Sequence, residues 1–157
     1  MPLIELTTII NAPIERCFDL ARSIDLHKLS IAGTQEEAIA GVTSGLIGKG
    51  QRVTWRAKHF GIRQTLTSEI TQFEYPYHFR DVMVQGAFNQ INHDHIFQQI
   101  ADGTLMTDKF YFESPGGIMG EIFNKLVLTN CLRQILTKRN RFIKEIAEGD
   151  RWKEIIV

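Results

Sequence analysis

Alternating apolar and polar positions open the chain: LIELTTII, residues 3–10, reads as a strand ending at Asn11. NAPIERCFDLARS then follows helical spacing. Ile14, Cys17, Phe18 and Ala21 share a face, Asn11 is the candidate N-cap, Pro13 falls in the first turn and Glu15 lies near the positive end. A second short helix is expected over SIDLHKLSI, capped by Ser23, with Leu26, Leu29 and Ile31 apolar and His27 packing or solvated. From residue 35 the period is two. EEAIAG, QRVTWRAKHF, IRQTLTSEITQF, YHFRDVMVQ, FNQINHDHIFQQI and TLMTDKFYFES bring the strands to seven. They are separated by glycine-rich GVTSGLIGKG and by turns at Phe60–Gly61, EYPY and Asp102–Gly103. Tight turns make the sheet antiparallel. After ESPGG the helical period returns. Ile122, Phe123, Leu126, Leu132, Ile135, Leu136, Ile143 and Ile146 predict a long amphipathic helix over about residues 117–147, with a charged TKRNRFIKE stretch at its far end. The expected class is α+β: a seven-stranded curved antiparallel sheet wrapped on a long C-terminal helix, with two short helices after the first strand, as one domain over residues 1–157.

Pleating assigns the faces of each strand. With Asp102–Gly103 as the turn, Ala101 pairs with Thr104, so Phe97, His95 and His93 oppose Asp108, Phe110 and Phe112. One face then carries Ile91, His93, His95 and Phe97 beside Thr104, Met106, Asp108, Phe110 and Phe112, and the other Asn92, Asp94, Gln98, Thr107 and Lys109. The turn at Phe60–Gly61 likewise puts Val53, Trp55, Ala57 and His59 with Ile62, Gln64, Leu66, Ser68 and Ile70, opposite a face rich in Arg, Lys and Thr. Phe79, Asp81 and Met83 fall together in YHFRDVMV. The apolar, histidine-bearing face points inward. Buried polar groups left unpaired cost roughly 1–3 kcal/mol each. His59, Gln64, Asp81, His93, His95 and Asp108 are therefore expected to pair with one another or to line a cavity that admits water or ligand.

Composition narrows the partners. Eighteen Lys and Arg balance eighteen Asp and Glu, so no basic field suggests a nucleic acid. No apolar stretch is long enough for stable membrane insertion, and MPLIELTTIINAP, with Glu5 in its apolar run and no charged n-region, is not a signal peptide. Cys17 and Cys131 match no CxxC pattern and read as reduced buried thiols, so the expected location is cytoplasmic and the expected state a monomer or weak homodimer. GLIGKG is a flexible loop rather than a phosphate or dinucleotide loop.

Three readings compete for His93 and His95. The first is a hydrogen-bonding wall, each imidazole paired with Asp108, Asp81 or a backbone carbonyl. The second is a metal site with His59 or Asp108 as third ligand. An H-x-H pair alone fixes no third ligand by spacing, so no stoichiometric metal and no cofactor are expected. The third is acid–base catalysis by His93, His95 and Asp108, the carboxylate orienting an imidazole that titrates near neutrality. Asp94 points outward, and its replacement by alanine is expected to be nearly neutral.

Phe79, Asp81, Met83, Gly86, Phe88, His93, His95, Phe97, Gly103, Thr104, Met106, Asp108, Pro115, Gly116 and Gly117 together resemble one branch of the SRPBCC superfamily. That superfamily groups START lipid-transfer domains, birch-pollen-allergen-like proteins and polyketide cyclases/aromatases. NAPIERCFDLARSIDLH resembles its strand-to-helix opening, and VTWRAKHFGI, residues 53–62, its second hairpin. Where Ile91 stands the branch commonly carries tryptophan, a departure that implies a wider or more apolar cavity there. The resemblance implies a helix-grip fold with a cavity between sheet and long helix. On one scaffold the superfamily includes carriers, receptors and enzymes. The expected function is binding of a small hydrophobic or amphipathic ligand (lipid, aromatic or polyketide-like). Its contacts would come from Trp55, His59, Gln64, Phe79, Asp81, Met83, Ile91, His93, His95, Phe97, Met106, Asp108 and Phe110. The alternatives are a polyketide cyclase/dehydratase- or hydrolase-like enzyme using a His/Asp pair in the same cavity, and an interaction module whose cavity is vestigial.

Overall fold

The computed structural model describes residues 3–31, 36–59, 62–113 and 127–156, and of His59 and Ile62 the backbone alone. The elements are β1 (Leu3–Ile10), α1 (Ile14–Ala21), α2 (Ile24–Ser30), β2 (Glu37–Gly41), β3 (Arg52–His59), β4 (Ile62–Glu74), β5 (His78–Gln85), β6 (Gln90–Ile100), β7 (Gly103–Glu113), α3 (Thr129–Glu148) and α4 (Trp152–Ile155). The seven strands form one sheet in the order β1-β7-β6-β5-β4-β3-β2, each pair antiparallel. Among the described residues no helix is long and apolar enough to cross a membrane. The expected start of the long helix, with Ile122, Phe123 and Leu126, lies outside the described residues, as do Pro115, Gly116, Gly117 and the Phe60–Gly61 turn.

Ser23 caps α2 as expected, its side chain accepting from the Leu26 N–H at 3.1 Å. Asn11 does not cap α1. Pro13 holds the N-cap position in an extended conformation, and no side chain among the described residues caps that helix. Asn11 instead donates its backbone N–H to Glu148 Oε2 (2.8 Å), tying the end of β1 to the end of α3.

The β3–β4 hairpin has the expected register, His59 opposite Ile62 and Trp55 opposite Leu66. The β6–β7 hairpin does not. Ile100 pairs with Gly103, so His95 lies opposite Asp108, His93 opposite Phe110 and Phe97 opposite Met106. The turn is therefore Ala101–Asp102, and Gly103 is the first residue of β7. Its φ of +153°, and a Cβ there meeting Ile10 O at 2.2 Å, show what the glycine is for: close passage of the end of β1. A slip of two residues preserves the faces, so His93, His95, Phe97, Met106, Asp108 and Phe110 still point inward.

Two buried apolar clusters lie on that inner face. The first joins Phe18 of α1, Phe79, Phe97, Met106 and Val53 of the sheet, and Ile143 and Ile146 of α3. The second joins Ile4, Ile91, Phe110 and Phe112 to Leu128 and Leu136, with Leu6, Leu66, Met83, Phe88 and Leu132 half-buried against it. A bulge between Ile70 and Gln72 resets the alternation of β4, so Phe73, rather than Gln72, packs against Phe18. On α3 the buried stripe takes in Leu136, Arg139, Asn140, Ile143, Ile146 and Ala147. Ile135, expected on the apolar face, is 40% exposed. The short α4 has no counterpart in the sequence pattern. Its Trp152 receives the Arg16 guanidinium at 3.9 Å from the ring centroid.

On the outer face, Asp94 corrects the expectation of a solvated carboxylate. It is 6% exposed, accepts two hydrogen bonds from Arg80 (2.8 and 2.9 Å) and pairs with His78 Nε2 at 2.7 Å. Register explains the cover: Arg80 lies directly across from Asp94, and His78 shares its face two residues away. Burial pushes the Asp94 carboxyl up, but these partners outweigh it and hold the group below its usual range. Asp94→Ala is therefore expected to cost about 1–3 kcal/mol, read from the urea midpoint; a loss below about 0.5 kcal/mol would restore the view of an idle surface group.

Candidate functional site

Alternation on β6 turns His93 and His95 to the same inner face, and the two adjacent strands bring one carboxylate each. Asp81 of β5 lies across from His93, and Asp108 of β7 across from His95. The hydrogen bonds run diagonally to that pairing. His93 Nε2 donates to Asp108 Oδ1 and His95 Nε2 to Asp81 Oδ2, both at 2.7 Å. His93 Nδ1 stands 3.8 Å from Asp81 Oδ2, and His95 Nδ1 3.6 Å from Asp108 Oδ1. The two imidazole centroids are 3.7 Å apart. His95 stacks on Phe79 at 4.1 Å and His93 meets the edge of Phe110 at 5.1 Å.

From the other side, α3 closes the layer. Asn140 Nδ2 donates to Asp108 Oδ2 at 2.7 Å, while Arg139 gives Nη1 to Asn140 Oδ1 and Nη2 to Ala21 O, both at 3.1 Å. Arg139 Nη1 is also 3.6 Å from Asp108 Oδ1. Neither residue stands out in the polar TKRNR run. The one sequence signal is that both fall on the helical stripe between Leu136 and Ile143.

His93, His95, Asp108, Arg139 and Asn140 are all buried, and the Asp81 side chain is 23% exposed. Burial pushes the Asp108 carboxyl up, but the His93 hydrogen bond and the positive charges around it prevail and hold it well below the carboxylate range. Asp81 follows the same balance, with the His95 hydrogen bond as its main support. Burial, then charge on His93, pushes the His95 imidazole down to about 4 against the pull of Asp81. His95 is thus neutral at pH 7, with its proton on Nε2 facing Asp81. That leaves Nδ1 buried with no hydrogen-bond partner among the described residues.

The other expected contact residues divide between the clusters. Phe79, Phe97 and Met106 belong to the first, against Phe18. Ile91 and Phe110 belong to the second, with Met83 half-buried against it. The polar layer touches both, through Phe79 and Phe110. Trp55 is half-buried against the first, its ring 4.4 Å from that of His27. Gln64 is half-buried opposite Ala57, and the His59 side chain lies outside the described residues.

No protein-family model and no curated protein sequence matches the chain. Solved structures do. The protein TTHA0849 from Thermus thermophilus is 21% identical with a TM-score of 0.69, over 90% of this chain and 97% of its own. Ginseng major latex-like protein 151 from Panax ginseng is 14% identical with a TM-score of 0.65, over 94% and 98%. The di-domain ARO/CYC StfQ of the steffimycin biosynthetic pathway is 11% identical with a TM-score of 0.75, over 93% of this chain and 50% of that one. At such identities the likeness is one of fold. A seven-stranded antiparallel sheet, short helices after the first strand and a long C-terminal helix over the inner face give this chain the helix-grip fold that these structures share.

Proposed function

We propose that the protein binds a small hydrophobic or amphipathic molecule of lipid, aromatic or polyketide-like kind between the inner face of the sheet and α3. One observation carries this reading. The hydrogen-bonded layer of Asp81, His93, His95 and Asp108 abuts a cluster whose Leu66, Met83, Phe88 and Leu132 are only half-buried. Half-buried apolar side chains beside convergent polar groups are the makings of a ligand pocket. Burying them supplies affinity at about 25 cal/mol per Å², and the polar layer orients the ligand's oxygen atoms. The fold shared with a plant major latex-like protein and an ARO/CYC supports the reading by analogy. Two free cysteines, Cys17 with its thiol pushed up by burial, fit the reducing cytoplasm.

A fluorescent anilinonaphthalene sulfonate probe tests the pocket. It is expected to bind saturably, to be displaced by a fatty acid or an aromatic polyketide, and to be excluded by Met83→Trp, which fills the half-buried end. Non-saturable binding, or binding indifferent to Met83→Trp, contradicts the reading.

A second reading, an enzyme of cyclase, dehydratase or hydrolase type, draws on the Asn140–Asp108–His93 chain. In it a buried carboxylate fixed by an amide orients an imidazole at 2.7 Å, as acid–base catalysis requires. It predicts turnover of the bound molecule that stops in His93→Ala while binding persists.

A further inference from the structure

We propose that Asp81, His93 and His95 form a binding site for a divalent first-row transition-metal ion of the zinc or iron class, with Asp108 as the carboxylate behind both imidazoles. The spacing of the two histidines in the sequence fixes no third ligand. The register of β5 on β6 supplies one, because it sets Asp81 across from His93 and within hydrogen-bond reach of His95.

Two observations converge. The first is geometric. One donor atom from each of the three residues lies within 4.8 Å of the others. Asp81 Oδ2 is 2.7 Å from His95 Nε2 and 3.8 Å from His93 Nδ1. Tetrahedral bonds of about 2.0–2.1 Å place ligand atoms about 3.3 Å apart, between those two values, so a small displacement of the Asp81 side chain admits an ion. Two imidazoles and one carboxylate suit zinc, iron or cobalt rather than calcium or magnesium, which take oxygen ligands.

The second concerns the tautomer of His95. With its proton on Nε2, the buried Nδ1 is a bare lone pair beside Asp108 Oδ1, with no donor among the described residues to meet it. If an ion takes the Nε2 lone pair, the proton moves to Nδ1, where it faces Asp108 at 3.6 Å. The imidazole stays neutral, no proton is lost, and the orphaned atom turns a donor toward a carboxylate instead of a bare lone pair. His93 already has the matching arrangement: its Nε2–H is given to Asp108 at 2.7 Å and its Nδ1 is turned toward Asp81. A carboxylate behind each metal-facing imidazole is how metal sites fix tautomer and ring orientation. Asn140 in turn fixes Asp108.

The ion would share Asp81, His93 and His95 with the polar end of the proposed pocket, and inorganic ions alone test it without any organic molecule. Chelator-dialysed full-length protein would be titrated with Co²⁺ and followed by visible absorption, then back-titrated with Zn²⁺. The expected result is about one Co²⁺ per chain with the intense bands of a low-symmetry site, displaced by Zn²⁺. Asp81→Asn keeps the side-chain shape and is expected to weaken binding at least about tenfold, whereas Asp94→Ala, on the opposite face of β6, should leave it unchanged. Far-ultraviolet circular dichroism confirms that each protein is folded. No stoichiometric binding by the folded wild type overturns the proposal. So does binding that Asp81→Asn leaves intact. Either result leaves the probe-binding test of the organic pocket untouched.

Discussion

Asp108→Ala is expected to cost about 3–5 kcal/mol of stability, the range for removing one partner from a buried charge network. The Asp108 side chain is fully buried, accepts from His93 and Asn140, and faces Arg139 at 3.6 Å. Without it the Arg139 guanidinium keeps, among the described residues, only neutral acceptors, Asn140 Oδ1 and Ala21 O, while the His93 and Asn140 donors lose their acceptor. Asp108→Asn keeps the volume and one acceptor oxygen and should lose less. Urea unfolding of both variants measures the difference. A loss below about 1 kcal/mol for the alanine variant would show that water or a rearranged neighbour replaces the carboxylate.

Phe18→Ala is expected to cost a similar amount, about 3–5 kcal/mol, by a different route. The ring is fully buried and meets four others, those of Phe73, Tyr75, Phe79 and Phe97, with centroids 5.3, 5.0, 5.2 and 5.3 Å away. Three of these contacts are edge-to-face, which aromatic quadrupoles favour. Phe18 belongs to the eight-residue α1 and holds it to the sheet. Truncation leaves a void that β-strand backbones cannot collapse to fill. The urea midpoint should fall with little change in slope, since the area exposed on unfolding barely alters. A change below about 1.5 kcal/mol would mean that α1 re-docks against the sheet.

The fold was legible because the helical and strand periods change cleanly along the chain and because two hairpins placed their apolar residues on one face. The β6–β7 register was not. Asp102–Gly103 reads as a turn, yet Gly103 serves the close approach of Ile10 O, a contact with the far end of β1 that no local pattern announces. The faces survived because the slip was by two. Asp94 shows the limit of alternation: it told which side the carboxylate faces, but not that Arg80 and His78 from β5 would cover it. The meeting of Asp81 with His95 depends on the β5–β6 register, set across a loop whose length gave no register signal. Arg139 and Asn140 were hidden in a charged run, where polarity outweighed their place on the helical stripe.

If the inner face of the sheet is the wall of a ligand pocket, with the histidine–aspartate layer as its polar end, the protein should carry its ligand through purification. Native mass spectrometry of the protein purified from its own host tests this most directly. The expected spectrum shows the chain with a noncovalent organic adduct that desalting leaves in place, that denaturation releases, and that Met83→Trp does not carry. A spectrum of the bare chain, from wild type and Met83→Trp alike, would contradict it.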